Sequence, residues 1–437
     1  MARLPSSKNK HHLTGIDWIL HGFDFMTKRA TGAGNMFQIV MELEGLPAEN
    51  EVRDWLDVCA RKFPLLGGRT RRDFNLAPYW QIPSHPPQVS FDVHRLRADD
   101  QAFPLLERGV NTPFRSEREH LALQLIHVGE RSHAAVKFDH RLFDAHGAEM
   151  FLSMLQQDWE EGGRCNWELP PCEPAHLSEW QKKFEAGKQV NRAFLRLAES
   201  GPPRALPLDP RSTSQGFAFR KITFTERQSQ EIIERAESEA GYLMAMPYTL
   251  ALTIQVLHAI FVNRGIKTGN YVIPVTMDTR VPGSRPHAVF FNHVSLLLFR
   301  IHDREVDDFH ALLKSIKQQM YEQARMGFAR DLLEASLLSR IAPLPMVSYL
   351  VKLYLKKDVA SFCFSYLGDT GHMPTRFMGR QASCSYHMAR VPVPPGLGVF
   401  FHQTHGRLSV HLSYLRGVLA EGEVEMITQA LHSGLGG

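Results

Sequence analysis

The sequence predicts an α/β protein of two domains, each with helices lying on a largely antiparallel or mixed sheet. Three observations carry this. The 437 residues exceed what a single hydrophobic core usually covers. Stretches with apolar residues at every second position alternate with stretches at helical spacing. A Gly- and Pro-rich interval near the middle then breaks the alternation. An apolar fraction of 43% and a charged fraction of 22% are those of a globular chain that forms a core without staples. The net charge of +4 is spread along the chain. It admits an anionic partner, such as a nucleotide-bearing substrate or a lipid surface, and lacks the clustered basic stripe of a nucleic-acid binder.

In chain order, residues 38–43 read as a strand and 49–63 as an amphipathic helix with Val52, Leu56, Val58 and Cys59 at its apolar positions. Leu121, Leu123 and Leu125 alternate with Ala122, Gln124 and Ile126 in a strand. The turn 129–132 leads to a second strand, 133–138, paired with it. Met150, Phe151, Met154 and Leu155 then recur at helical spacing. From about 160 to 215, paired glycines and prolines mark a long connection enclosing a polar helix, about 176–199. Beyond it, Phe217, Phe219 and Lys221 alternate in a strand, and Thr225 with Gln228 forms a capping-box signature. A buried helix over 246–263 follows, then strands at 271–276 and 293–301 and a helix over 307–326. Four strands close the chain, at roughly 361–367, 381–387, 398–404 and 407–415, before a last helix from Glu421.

Cysteines stand at Cys59, Cys165, Cys172, Cys363 and Cys384, with no CxxC pair among them. Scattered thiols of this kind suit a reducing compartment. The basic N-terminus is not followed by an apolar signal core, and the longest apolar run, 250–262, is too short for a bilayer span. A cytoplasmic, monomeric protein is expected.

One stretch carries chemistry: Asp139-His140-Arg141-Leu142-Phe143-Asp144-Ala145-His146-Gly147. It joins the strand ending at 138 to the helix that follows. His140 stands where rigid scaffolds present reactive groups, and imidazole takes and returns protons near neutral pH. Asp139 admits two readings: a carboxylate close enough to raise the His140 pKa, or one bonded to backbone within the loop. His146, His140 and Asp144 have no further ligand pattern beside them, so no metal is expected.

With its surroundings the stretch resembles the HHxxxDG or HxxxDG signature of the chloramphenicol acetyltransferase-like acyltransferase superfamily. That superfamily includes condensation domains, plant HxxxD acyltransferases and wax ester/diacylglycerol acyltransferases. Here the first histidine is replaced by Asp139 and the closing glycine by Ala145, with Gly147 two places later. Further marks follow in family order. Phe63-Pro64-Leu65-Leu66 with Gly68-Arg69 resembles the "hPxLr" region, and residues 273–280, ending in Arg280, resemble the "vPVNLR" strand. Residues 290–296 resemble the "GNxxN" segment with Asn292 kept and the glycine lost, and Ser365-Tyr366-Leu367-Gly368 looks like "SNLG".

The resemblance implies an α+β two-layer sandwich of two such subdomains arranged in a V, with the active site at their interface. The N-terminal subdomain, 1–175, would carry the motif. A linker or crossover would span 176–215 and the C-terminal subdomain 216–437. It implies a free-standing acyltransferase taking its acyl group from a thioester, acyl-CoA or acyl-carrier protein, to a hydroxyl or amine on a small molecule or lipid, with no resident cofactor. His140 would be the general base. Asp144 would pair with Arg280 and hold the loop, and Asp139, Gly147, Asn292 and Ser365 would support the loop or bind substrate. A backbone N–H near 145–147, or Ser365, would serve the oxyanion. Plainer readings stand beside these, with Arg280 an ordinary surface arginine and Asn292 a turn residue.

Two other functions remain open. One is a catalytically silent condensation-like module that binds a carrier or partner protein. The other is a wax ester/diacylglycerol-type enzyme whose tract 344–357, apolar with Lys352, Lys356 and Lys357, touches membrane.

Overall fold

Residues 10–164, 180–199, 203, 205–212, 216–266, 269–281, 288–347, 349, 360–369 and 371–436 are described by the computed structural model. A short strand β1 (Lys10–His12) leads to α1 (Gly15–Thr31). Thr14 and Asp17 start that helix by accepting each other's backbone N–H. Then come β2 (Met36–Glu44), α2 (Glu49–Lys62), β3 (Arg69–Arg72), β4 (Pro78–Gln81), β5 (Ser90–Leu96) and α3 (Ala102–Asn111). A hairpin of β6 (Leu121–Val128) and β7 (Arg131–Asp139) follows, turning at Gly129, whose φ of 59° suits glycine. It delivers the chain to α4 (Ala145–Glu160).

Past α5 (Trp180–Glu199) come β8 (Phe217–Thr223), α6 (Glu226–Ala240), α7 (Ala245–Asn263), β9 (Asn270–Asp278) and β10 (Val294–His302). Next are α8 (Phe309–Met326), α9 (Phe328–Ser336), β11 (Cys363–Asp369), β12 (Arg376–Phe377) and β13 (Arg380–Ala389). The chain ends with β14 (Leu397–Thr404), β15 (Arg407–Leu415) and α10 (Glu421–Gly436). Thr225 and Gln228 cap α6 reciprocally, the arrangement their spacing predicts.

Among the described residues the strands form two six-stranded sheets, ordered β12-β13-β2-β7-β6-β5 and β10-β9-β11-β14-β15-β8, and a small sheet β1-β4-β3. The pairs β5–β6, β9–β11 and β11–β14 run parallel and the others antiparallel. This is the mixed α/β architecture expected, with one correction to the division at 216. Strand β13 leaves the C-terminal half and pairs with β2 from Ala382↔Leu43 to Ala389↔Phe37, so 376–389 belong to the first sheet. Period-2 patterning tells a strand which face to bury, not which sheet to join.

One core lies under the first sheet and contains Leu121, Phe138, Phe143, Phe151 and Phe290. The other fills the second sheet and also takes in Ala102, Leu106 and Val110 of α3, so that helix packs between the two halves. Helix α7, 19 residues with a mean hydropathy of 1.5 over its most apolar window, is long and apolar enough to cross a bilayer, unlike the shorter run read from the sequence. Here Leu250, Ile254, Leu257 and Phe261 are fully buried in the second core. Cys59, Cys363 and Cys384 are free thiols, while Cys165 and Cys172 lie outside the described residues. So does the tract 344–357 beyond 344–347 and 349.

Candidate active site

Leu142 and Phe143, inside the motif, are both fully buried. The Phe143 ring meets Phe138 of β7 at 5.1 Å, Phe151 of α4 at 5.2 Å and Phe290 at 5.2 Å. Aromatic pairs of this kind add about 0.5–1.5 kcal/mol each beyond the area they bury. They anchor one side of the loop in the first core and leave His140 half-buried.

The loop is tied to the C-terminal half by backbone and charge together. Phe291 N–H donates to Leu142 O at 2.7 Å, and His293 N–H donates to Asp144 Oδ2 at 2.8 Å. Arg280 Nη2 donates to Asp144 Oδ1 at 2.7 Å and Oδ2 at 3.0 Å, and also reaches Ala288 O. Asp144 is in addition the N-cap of α4, accepting from Gly147 N–H at 2.7 Å. One buried carboxylate thus starts the helix, neutralises Arg280 and fixes His293. Asn292 donates its side chain to Asp17 Oδ1 of α1 at 3.2 Å, so it anchors the same segment to a third element. Phe291, where the resembled pattern has glycine, keeps a left-handed φ of 72° and stacks on His11 at 3.9 Å. A side chain costs about 1–3 kcal/mol in that backbone region, which packing at Phe291 must offset.

Gly147 is where a missing Cβ matters. A methyl there would lie 2.4 Å from Val289 O and 3.1 Å from both Arg280 Nη2 and Asp144 Oδ1. Gly147→Ala is expected to wedge α4 from the 288–293 segment and lower stability by about 1–3 kcal/mol, as overpacking does. A urea denaturation midpoint equal to wild type would contradict this.

Asp139 is buried. Its carboxylate accepts from His120 Nδ1 at 2.8 Å, from Arg141 Nη2 at 2.6 Å and from the Arg141 backbone N–H at 2.9 Å. Burial alone would raise this carboxyl; Arg141 and the His120 hydrogen bond outweigh that and hold it far below the usual carboxylate range. His120 Nε2 in turn lies 2.8 Å from Gly68 O, which ties the loop to the 63–69 region. Asp24 of α1 accepts from Asn35 N–H at 2.7 Å, and Asn35 O accepts from His140 N–H at 3.2 Å. Of the two readings of Asp139, the structure shows bonding within the loop, extended to His120.

His140 itself makes few contacts. Its ring stands edge-on to Phe37 at 5.3 Å, and its Nδ1 is buried without a hydrogen-bond partner among the described residues. Ser365 pairs with Thr276 across β11 and β9, Oγ to Oγ1 at 2.8 Å. Gly147 N–H is committed to Asp144 Oδ1, which removes one of the backbone donors considered for an oxyanion.

Sequence reasoning did not single out a second tie between the halves. His146 Nδ1 of α4 lies 2.8 Å from Asp278 Oδ2 of β9. Burial alone would lower the His146 pKa, but the Asp278 hydrogen bond and nearby carboxylates raise it above its ordinary value. For Asp278, burial is outweighed by the His146 bond, the Arg280 N–H and Arg280 charge, which depress it strongly. The His146 contribution to stability is therefore complete below about pH 6.5 and lost as pH rises through its raised folded value. The Asp278 contribution is present above about pH 3.9 and lost as pH falls through its depressed one. Asp278→Asn is expected to lower the denaturation midpoint most near pH 5–6, with a gap that narrows above neutrality. A gap independent of pH would overturn the assignment.

No protein-family profile matches the chain, and no curated protein matches it in sequence. Solved structures do match in shape. The first condensation domain of the calcium-dependent antibiotic synthetase superimposes with a TM-score of 0.71 at 15% identity, covering 98% of this chain and 96% of that one. Trichothecene 15-O-acetyltransferase from Fusarium sporotrichioides gives 0.69 at 12% identity, covering 99% and 96%. The epimerization domain from the third module of tyrocidine synthetase B gives 0.61 at 13% identity, covering 98% and 96%. The chain thus has the two-subdomain fold of condensation domains, the fold that the motif resemblance implied.

Proposed function

We propose that the chain transfers an acyl group from a thioester, on CoA or on a carrier protein, to a hydroxyl or amine acceptor. The observation that carries this reading is a half-buried histidine, its buried Nδ1 without a hydrogen-bond partner among the described residues, on a loop that the Asp144–Arg280 pair ties to the C-terminal half. His140 accepts the proton of the acceptor as its oxygen or nitrogen attacks the thioester carbonyl carbon. The oxyanion then collapses, the carbon–sulfur bond breaks, and the imidazolium returns the proton to the departing thiolate. Placed acid–base groups of this kind contribute roughly 10²–10⁴ in rate. The donor is a substrate, and the step uses no resident cofactor.

The test is release of free thiol from a panel of acyl-CoAs and acyl-carrier proteins with alcohol and amine acceptors. Acceptor-dependent release by the wild-type chain supports the reading. Carrier binding without release from any donor favours a silent condensation-like module instead. Ala145 gives that alternative little support, because it is the first residue of α4 and stands at no position with the positive φ that demands glycine.

A further inference from the structure

A thioester carbonyl under attack gathers negative charge on its oxygen, and a hydrogen-bond donor already aimed there contributes heavily to rate. Gly147 N–H is taken by Asp144, and the Ser365 hydroxyl is paired with Thr276. His146, the second residue of α4, is placed differently. Its Nδ1 lies 2.8 Å from Asp278 Oδ2, while its Nε2 is buried with no hydrogen-bond partner among the described residues. Buried polar atoms are nearly always hydrogen-bonded, so an exception in a native fold calls for a partner.

The chemistry of the pair decides which nitrogen does what. A carboxylate only accepts, so Nδ1 carries the hydrogen that Asp278 receives and Nε2 is left over. Asp278 is held ionised by the Arg280 backbone N–H at 3.0 Å and by Arg280 Nη1 at 3.0 Å. A carboxylate on one nitrogen with the other free for substrate is the arrangement that orients a catalytic imidazole. Burial lowers the His146 pKa, but the Asp278 hydrogen bond and the charges of Glu149, Asp144 and Asp278 outweigh it. They favour the imidazolium, which carries a hydrogen on Nε2 as well.

The surroundings link this pair to His140. Leu142 and Phe143 N–H both donate to Asp139 O, so a tight turn puts His140 and His146 at the two ends of one compact segment. Glu149 lies one turn beyond His146 on the same face of α4, and its Oε1 is 2.9 Å from His387 Nε2. The His387 ring stacks with Phe37 at 6.3 Å, and Phe37 meets the His140 ring at 5.3 Å. On the other side, Thr276 and Asp278 share a face of β9 where the strand emerges to solvent. The side chains of His146 and Asp278 are 18% and 33% exposed, so the pair, one member from each half, borders solvent.

We propose that His146, oriented by Asp278, donates Nε2–H to the thioester carbonyl oxygen while His140 takes the acceptor proton. This role belongs to acyl transfer and stands only with that reading. No bond to His146 forms or breaks. Its hydrogen bond strengthens as the oxygen gains charge and relaxes when the carbon–sulfur bond breaks. His146 is then a catalytic residue and Asp278 the residue that positions it. The other charged or titratable groups around His146 are Arg280 of β9, Asp144 and Glu149 of α4, His387 of β13, and His372 with its ring 6.4 Å away.

The experiment follows thiol release by the full chain from acyl-CoAs and acyl-carrier proteins with alcohol and amine acceptors, as a function of pH. His146→Ala is expected to lower kcat about 10²–10³-fold with the KM for the acyl donor little changed. His146→Gln keeps an N–H donor without the charge and is expected to recover part of that rate. The wild-type rate should fall as pH rises through the His146 pKa, which lies above about 6.5. His146→Gln should lose that fall, and Asp278→Asn should move it to lower pH. If His146→Ala fails to fold, the two pH profiles carry the test. A folded His146→Ala with wild-type kcat would overturn the inference, as would an alkaline fall that His146→Gln retains. No thiol release by the wild-type chain from any donor overturns acyl transfer itself and the oxyanion role with it. Release that is indifferent to His146 removes the oxyanion role alone.

Discussion

Asp144→Ala is expected to lower folding stability by about 3–5 kcal/mol, the cost of leaving one member of a buried ion pair unpaired. The side chains of Asp144 and Arg280 are only 3% and 9% exposed, so water cannot replace the lost partner. The substitution also strips the cap acceptor from Gly147 N–H and the acceptor from His293 N–H. Asp144→Asn keeps an oxygen for the helix cap while removing the charge, and should fall between Ala and wild type. Pairing the change with Arg280→Met removes the stranded guanidinium, so the double variant should lose less than the sum of the two singles. Urea denaturation of the four proteins measures this. Strictly additive losses would show that the two residues do not act as a pair, and a loss below about 1 kcal/mol would place the pair among surface bridges.

Much of this arrangement was readable from the chain. The hairpin, loop and helix over 121–160 announce themselves because period 2 gives way to helical spacing at a single point, with His140 between them. The segments around Arg280 and Asn292 were legible as motif fragments, although only coordinates show that both converge on residues 141–144. What stayed hidden shares a physical cause, which is partnership across long separations. Nothing local to β13 tells it to leave its own half, because its pairing is decided by β2, more than 330 residues earlier. Asp139 reads as a departure from the resembled motif until His120 and Arg141 are seen to surround it. Glu149, within the motif helix, looks like an ordinary polar position until two histidines more than 230 residues away close on it.

His140→Ala is expected to lower acceptor-dependent thiol release by roughly 10²–10⁴-fold while leaving the fold nearly intact. The contrast with Asp144 comes from contacts. The His140 ring touches Phe37 edge-on, an interaction worth about 0.5–1.5 kcal/mol. The loop that carries it is held by Leu142, Phe143, Asp144 and the backbone of Asn35, none of which the substitution removes. Asp144→Ala should therefore lose activity together with stability. His140→Ala should lose it alone, with a denaturation midpoint close to wild type and unchanged binding of the acyl donor. That separation is the decisive measurement. Thiol release unaffected in a folded His140→Ala protein would remove His140 from the reaction and leave the Asp144–Arg280 clamp as an element of architecture only.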